Sequence, residues 1–303
     1  MCTRRHQTLG VLATVLFCTV SLVAPRISNP AQAVLLSVRP SVTDRGIRDY
    51  DEPHYVVYDP EATAQAQLVV FLPGTLGKPS NASLLLGTVA NQGYRVIGLE
   101  YDDAPAVAWV CPQNPSPACA AHFRQERIFG DDSHAVVHNS TADSIVNRLT
   151  KLLAYLSQHD SKGNWASYML NGGVDWSRIV VSGLSQGAGM AAYLAKKESV
   201  ARVVLFSSPE DYLEPSHALA PWISGPSATP PDRWFAEYHR RENHSMLISR
   251  AYRALGIPPD HIRVFNLDLP TELQGRKDNP YHGSTIRVPA YAPQWTFLFG
   301  HSP

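Results

Sequence analysis

The sequence predicts an α/β fold built on a mostly parallel β-sheet with helices on both faces. Three observations lead to this prediction: strands and helices alternate along residues 54–268, the strands are continuous apolar runs, and the helices carry apolar residues at helical spacing. Continuous apolar strands are typical of parallel sheets that are covered on both faces. Such sheets bind ligands at the carboxyl ends of their strands, so functional residues are expected in the loops that follow the strands.

Each element is predicted from its own pattern. The run QLVVFL is nearly all apolar and predicts a central strand. Residues 140–158 predict the longest helix, because Ser140 and Asp143 form an S-x-x-D capping box and leucines recur at helical spacing. Residues 102–139 and 209–232 predict irregular excursions. The predicted strands cover residues 54–58, 67–72, 94–101, 178–182, 201–208, 233–238 and 261–268, and the other predicted helices cover 80–92, 188–197 and 245–256.

Residues 1–33 predict a cleaved secretory signal peptide. Arg4 and Arg5 precede an apolar run over residues 9–24, and Ala31-Gln32-Ala33 is a small-x-small cleavage pattern. The apolar run is shorter than the roughly 20 residues that a membrane span needs, but an uncleaved membrane anchor is the alternative. Cleavage would leave residues 34–303 as a single domain, secreted or otherwise extracytoplasmic (periplasmic or extracellular), without a stable membrane anchor.

Charge and cysteine content exclude several kinds of partner. Beyond residue 33 the chain has 23 Lys and Arg against 26 Asp and Glu, so no electrostatic basis for binding nucleic acid exists. Cys111 and Cys119 enclose seven residues of the Pro-rich stretch CPQNPSPAC, and in an oxidising compartment they predict a disulfide. The sequence has no second cysteine pair at ligand spacing and no glycine-rich phosphate loop, so we expect no metal and no organic cofactor.

The stretch RIVVSGLSQG predicts a catalytic nucleophile. A β-branched strand meets Gly183-Leu184-Ser185-Gln186-Gly187, a G-x-S-x-G pattern, and a helix-forming segment follows at once. This strand–turn–helix context is what a nucleophilic serine requires, because the hydroxyl must stand clear of the sheet where a histidine can reach it. The flanking glycines relieve crowding at the turn. We therefore predict Ser185 as the nucleophile.

A serine nucleophile needs a histidine base, and the expected position is after the last strand. His282, in NPYHGST, follows the strand that ends near Asp268 by about 14 residues. His301 is the other histidine beyond that strand, and it lies two residues from the end of the sequence, where chains tend to fray. The order of residues along the chain therefore favours His282 as the base.

Three carboxylates are candidates for the acid that orients the histidine. Glu242 follows strand 233–238 within HRRENHS, and Asp211 follows the preceding strand within SSPEDY. Asp268 is the third candidate, just before the histidine loop. Any of the three could hold the imidazole tautomer and stabilise the imidazolium from a partly buried position. Glu242 is favoured because its strand is the one from which the acid usually comes, with Asp211 as the alternative.

An oxyanion hole requires two backbone N–H groups near the serine hydroxyl. One is predicted from Gln186, which directly follows the nucleophile. The other is predicted from the loop LPGTLG after strand 67–72, where Gly74 permits close approach of the backbone. Within that loop the donor is the N–H of either Thr75 or Leu76.

These segments together resemble the α/β-hydrolase superfamily over essentially all of residues 50–300. More narrowly, the chain resembles a poorly characterised group of secreted bacterial and plant α/β-hydrolases. The resemblance implies a sheet of the α/β-hydrolase type, Ser185 as nucleophile and His282 as base, and it places Glu242 where that group tends to carry an aspartate. The resembling segments are FLPGTLGKPSN, FGDD, ADSIVNRLTKLLAYL, GLSQGAGMAAYLA, FSSPEDY, TPPDRW and YHGST.

The favoured function is hydrolysis of a carboxylic ester through an acyl-enzyme on Ser185. The excursions 102–139 and 209–232 are expected to shape the acyl or alcohol pocket, and neither is apolar enough to cover a long lipid chain. A small or medium ester, or an ester borne on a polymer, is therefore the expected substrate. A non-catalytic binding protein on the same fold is one alternative, and an acyltransferase or peptidase with the same catalytic residues is another.

Overall fold

A computed structural model describes residues 33–214, 216–270 and 279–300. Eight strands within these residues form one sheet, in the spatial order β1-β2-β4-β3-β5-β6-β7-β8. Strands β1 and β2 pair antiparallel, β2 also runs antiparallel to β4, and every other neighbouring pair is parallel. The strands are β1 (Val34–Val38), β2 (His54–Tyr58), β3 (Leu68–Leu72), β4 (Arg95–Gly98), β5 (Ile179–Leu184), β6 (Arg202–Phe206), β7 (Trp234–His239) and β8 (Ile262–Phe265).

Helices cover both faces of this sheet. Helices α2 and α8 pack on one face, and α4, α5, α6 and α7 pack on the other. All five residues of β3 are buried, because Val69 and Phe71 face the first group of helices while Leu68, Val70 and Leu72 face the second. The helices are α1 (Pro40–Thr43), α2 (Ser83–Ala90), α3 (Val107–Val110), α4 (Cys119–Phe129), α5 (Ile145–His159), α6 (Gln186–Lys197), α7 (Ser245–Ala254) and α8 (Ala292–Phe299).

The predicted fold class is confirmed: the protein has a mostly parallel, doubly wound sheet of the α/β-hydrolase type. All seven predicted strands are present, and the predicted helices correspond to α2, α5, α6 and α7. Strand β1 and helix α8 were not predicted. Strand β1 begins at Val34, directly after the predicted signal peptide, which apart from Ala33 lies outside the described residues.

The prediction of an irregular excursion over residues 102–139 is wrong in part, because the segment contains α3 and the 11-residue α4. The buried face of α4 includes Arg124, Glu126 and Arg127, so its sequence lacks the apolar stripe by which an amphipathic helix is recognised. The predicted disulfide is confirmed: Cys111 at the end of α3 is bonded to Cys119, the first residue of α4.

The second excursion, over residues 209–232, is built of short elements. A two-stranded ribbon pairs Tyr212–Leu213 with Ala218–Leu219, and single 3₁₀ turns cover Pro221–Ile223 and Pro231–Arg233. A second small ribbon pairs Met169–Leu170 with Gly173–Val174. None of the helices in the described part of the chain has the length and apolar character needed to cross a membrane.

Candidate active site

Ser185 occupies a sharp turn between β5 and α6. Its backbone has φ 56° and ψ −124°, a left-handed conformation that costs a residue with a side chain about 1–3 kcal/mol. The turn persists because the Ser185 N–H donates to Phe206 O at 2.9 Å and the first turn of α6 begins directly after it. The strained backbone therefore directs the hydroxyl away from the sheet, towards the cavity at the carboxyl ends of the strands.

The two glycines of the pentapeptide are required by close backbone contacts. A Cβ atom on Gly183 would lie 2.4 Å from the carbonyl carbon of Gly187, and one on Gly187 would lie 2.1 Å from Leu72 O. Both distances are far inside van der Waals contact. The turn can therefore close on itself only because Gly183 lacks a side chain, and it can sit against the end of β3 only because Gly187 lacks one.

His282 and Glu242 meet at the same end of the sheet. His282 directly precedes the 3₁₀ turn Gly283–Ile286, and Glu242 lies in the loop after β7. The His282 Nδ1 atom is 2.6 Å from Glu242 Oε2. The other carboxylate oxygen, Oε1, accepts hydrogen bonds from the His239 N–H at 2.8 Å and from the Ser207 hydroxyl at 3.0 Å. The carboxylate is thus fixed by three donors, and it fixes the imidazole in turn.

Burial and pairing shift the pKa values of this pair. Burial raises the pKa of Glu242, and the hydrogen bond from His282 opposes that rise without cancelling it. Burial by itself lowers the pKa of His282, but the hydrogen bond to Glu242 and its negative charge outweigh burial, so the histidine pKa lies above its ordinary value. An imidazole in this setting accepts a proton readily at Nε2.

The other two candidate acids are engaged elsewhere. Asp211 is buried and forms a bidentate ion pair with Arg124, at 2.7 Å to Nε and 2.5 Å to Nη2, and it also accepts from Trp222 Nε1 at 2.8 Å. Asp268 is exposed and paired with Arg241. The structure therefore brings Glu242 to His282, and it does not bring the alternative Asp211 there. The sequence could not decide between Glu242 and Asp211, because both follow parallel strands whose carboxyl ends lie on the same side of the sheet.

Ser185 and His282 line one cavity of about 370 Å³. Its walls come from residues 71–82, 184–185 and 279–287. Within the described chain, residues of 102–139 and 209–232 do not line this cavity, contrary to the expectation from sequence. Residues of 102–139 contact the helix behind the serine turn instead, since Gln186 Oε1 accepts from the Val107 N–H at 2.7 Å. Residues of 209–232 contact the first excursion through the ion pair between Asp211 and Arg124.

The loop after β3 lies beside the serine turn, because β3 and β5 are paired and Leu72 faces Gly183. The N–H of Leu76 donates to Asp103 Oδ1 at 3.1 Å, so it is not free to bind an oxyanion. The Thr75 N–H makes no hydrogen bond to any residue that the structure describes. Gln186 is the first residue of α6, where N–H groups lack helical partners. Of the predicted donors, Gln186 and Thr75 therefore remain available and Leu76 does not.

Asp103 is a site residue that the sequence did not reveal. It follows β4, is buried, and accepts from the N–H groups of Leu76 and Gly77, each at 3.1 Å. Its own carbonyl accepts from Gln186 Nε2 at 2.8 Å. Burial raises the pKa of Asp103 to about 6, although the two backbone N–H groups oppose the rise. One residue thus holds the Thr75 loop and contacts the residue that follows the serine.

We expect Asp103→Asn to lower kcat about tenfold with little change in KM. The amide can accept only one of the two N–H groups, and its own NH₂ group opposes the other, so the loop that carries Thr75 loses its fixed position. Steady-state kinetics on a chromogenic ester measures both constants. The matched control is Asp59→Asn, which changes a buried carboxylate that accepts from the Glu61 N–H; Asp59 follows β2, which runs antiparallel to β4, and so lies at the opposite end of the strands. Equal effects of the two variants would contradict this role.

In the described part of the chain, no three His, Cys, Asp or Glu side chains converge as metal ligands would. His134 and His138 are four residues apart in sequence, and both are exposed. His134 lies beside Asp132 and His138 beside Glu126. Both belong to the sequence HAVVH. Their exposure is that of a solvated surface, and the two side chains pair with different carboxylates.

Comparisons with known proteins give likeness at the level of overall structure. No protein-family model and no curated protein matches the chain. Among solved structures, the chain is similar to a bacterial heroin esterase, at 14% identity and a TM-score of 0.45, over 90% of this chain and 86% of that one. It is also similar to a protein of Klebsiella pneumoniae subsp. pneumoniae described as a dienelactone hydrolase, at 13% identity and a TM-score of 0.43, over 89% of this chain and 99% of that one. The α/β-hydrolase fold follows from the sheet order and from the turn that holds Ser185.

Proposed function

We propose that this protein is a serine hydrolase that cleaves a carboxylic ester through an acyl-enzyme on Ser185. One observation carries the proposal: Ser185 stands on a strained turn at the cavity that His282 also lines, and His282 is oriented by the buried carboxylate of Glu242. Nucleophile, base and orienting acid on three separate loops make up the arrangement of a serine hydrolase.

The reaction follows from these roles. His282 Nε2 takes the proton of the Ser185 hydroxyl as its oxygen attacks the ester carbonyl, and the N–H groups of Gln186 and Thr75 stabilise the oxyanion. Collapse of the tetrahedral intermediate transfers the proton from His282 to the departing alcohol. Water then attacks the acyl-enzyme with His282 again as base, which releases the carboxylic acid and restores the serine.

The size of the cavity bears on the substrate. About 370 Å³ lies near the lower end of the range for small-molecule sites. This volume favours a small or medium ester, or the ester group of a polymer whose main body remains outside. A long lipid chain would extend beyond a cavity of this volume.

The test is turnover of 4-nitrophenyl esters of increasing acyl length, followed by rapid mixing. We expect a burst of one nitrophenolate per chain, a mass increase equal to the acyl group on the peptide that contains Ser185, and loss of both in Ser185→Ala. Added methanol distinguishes hydrolysis from acyl transfer, because a methyl ester product would indicate transfer of the acyl group to an alcohol. A cooperatively folded wild type that turns over none of these esters and forms no adduct would contradict the proposal.

The pH dependence of kcat/KM provides a second check. Protonated His282 cannot accept the serine proton, so activity should fall as the pH drops through the histidine pKa, which pairing with Glu242 raises above the ordinary value of 6.5. In Glu242→Gln the negative charge that raises the pKa of His282 is lost, while burial still lowers that pKa. The midpoint of the kcat/KM profile should therefore move to lower pH. Asp268→Asn, which changes an exposed carboxylate, should leave the midpoint where it is. An unchanged midpoint in Glu242→Gln would contradict the pairing.

We further infer that the protein works outside the cytoplasm after removal of residues 1–33. The support is the Cys111–Cys119 disulfide, a bond that persists in oxidising compartments. N-terminal sequencing of the protein recovered from its natural host should begin at Val34.

A further inference from the structure

The described residues that line the cavity beside Ser185 include positively charged side chains and no negatively charged one. Apart from His282, the charged side chains among its described lining residues are Lys78 and Arg287, and none of these lining residues is an Asp or Glu. Lys78 Nζ is paired with Glu52 Oε1 at 3.0 Å. Arg287 lines the cavity, is exposed, and forms no ion pair with any residue in the described ranges.

The Arg287 guanidinium lies close to Gly283, the residue after the proposed base. A Cβ atom on Gly283, the residue after His282, would lie 3.4 Å from Arg287 Nη1 and 3.7 Å from Cζ. The side chain is therefore folded back over the turn Gly283–Ile286. That turn is firmly held, because the N–H groups of Arg287 and Val288 donate to Ser284 O at 3.0 and 3.1 Å.

A hydrogen bond from helix α8 also stabilises the turn Gly283–Ile286. Trp295 in α8 is fully buried, and its Nε1 donates to Thr285 O at 2.8 Å. The Thr285 hydroxyl donates in turn to His282 O at 3.0 Å. One hydrogen-bonded turn thus carries both His282 and Arg287, so the fold sets the backbone of Arg287 relative to the backbone of the base.

We propose that the cavity selects ester substrates that carry a carboxylate, and that Arg287 binds this carboxylate. The inference rests on the proposed ester hydrolysis and adds the substrate class. A guanidinium presents two parallel N–H groups that match the two oxygens of a carboxylate. One guanidinium balances one such charge, and a cavity of about 370 Å³ accommodates an ester whose carboxylate lies a few bonds from the scissile carbonyl.

The experiment compares matched ester pairs and records the ratio of kcat/KM for the anionic ester to that for its neutral partner. For a carboxylate on the acyl side, the pair is the mono-4-nitrophenyl ester of adipic acid and 4-nitrophenyl hexanoate. For a carboxylate on the alcohol side, the pair is 4-acetoxybenzoate and 4-acetoxybenzamide. The ester pair in which the anionic member is preferred shows whether the acyl half or the alcohol half of the substrate reaches Arg287.

In one of the two ester pairs, we expect the ratio of anionic to neutral kcat/KM to be about tenfold higher in the wild type than in Arg287→Met. A change of about tenfold is the usual effect of losing one charged hydrogen-bonding partner. Arg287→Lys should recover part of the ratio, because it keeps the charge and loses the paired N–H groups. The matched control is Arg253→Met, which removes an exposed arginine on α7 whose Nη1 donates to Ser249 Oγ, outside the cavity. Its ratio should equal that of the wild type.

The outcomes separate this inference from the proposed function. Turnover of the neutral esters with ratios that Arg287→Met leaves unchanged in both ester pairs would overturn the inference and leave ester hydrolysis standing. If no ester is turned over, the rates of Ser185 phosphonylation by two fluorophosphonates, one ending in a carboxylate and one in a methyl group, replace the ester pairs. A carboxylate preference that Arg287→Met removes would then support the inference, and equal rates would overturn it. A protein that neither turns over esters nor reacts with either phosphonate overturns both.

Discussion

Replacing Glu242 with glutamine is expected to lower kcat/KM by about 10³- to 10⁴-fold, with most of the loss in kcat. The Glu242 carboxylate accepts the Nδ1–H of His282 at 2.6 Å, and this leaves Nε2 unprotonated to receive the serine proton. A glutamine can present its NH₂ group to Nδ1 and thereby favour the opposite tautomer. It also removes the negative charge that stabilises the imidazolium in the transition state.

Asp211→Asn is the control for Glu242→Gln, because Asp211 follows the neighbouring strand β6 and is equally buried but faces Arg124. We expect its activity per folded molecule to stay within a few-fold of wild type. Steady-state kinetics on one ester, with the folded fraction checked by circular dichroism, measures both variants. A larger catalytic loss in Asp211→Asn than in Glu242→Gln would contradict the assignment of Glu242 as the orienting acid.

Replacing Arg124 with methionine is expected to lower the free energy of unfolding by about 3–5 kcal/mol, the effect of leaving a buried charge without its partner. The side chains of Arg124 and Asp211 are 0% and 1% exposed. Arg124 also lies over the Trp222 ring, at 5.4 Å from its centroid, and its guanidinium fills the space beside Gly189 in α6. Through these contacts it joins α4, the segment after β6 and the helix that follows the serine.

Urea denaturation measures this loss. The control is Arg253→Met on the exposed side of α7, which should change the free energy of unfolding by less than about 0.5 kcal/mol. In the double variant Arg124→Met/Asp211→Leu the unpaired charge is absent, so much of the lost stability should return. A loss below about 1 kcal/mol in Arg124→Met would contradict a structural role for the ion pair.

The same arginine explains where the sequence was a poor guide to the fold. The central strands were predictable because they are buried on both faces, and β3 shows this in five consecutive buried residues. Helix α4 was not predictable, because it buries Arg124 and Arg127 against Asp211, Asn139 and Asp102 that lie far away in sequence. Only the folded chain shows that those charges have partners.

The candidate site divides in a similar way. The position of Ser185 was predictable from local pattern, since the two glycines that its turn requires are part of the pentapeptide. The pairing of Glu242 with His282 depends on how two distant loops approach each other, and the sequence left three carboxylates open. Asp103 had no local signature, because its function is to accept N–H groups from residues 76 and 77, on a different loop.

The most direct test of a nucleophilic Ser185 is labelling of the folded protein with a fluorophosphonate, followed by mass spectrometry of its peptides. We expect one phosphonyl group per chain on Ser185, no label in Ser185→Ala, and strongly reduced labelling in His282→Ala. Ser182→Ala should label like the wild type, because the Ser182 hydroxyl is buried within β5. A cooperatively folded wild type that stays unlabelled, or that carries its label on another serine, would contradict the account.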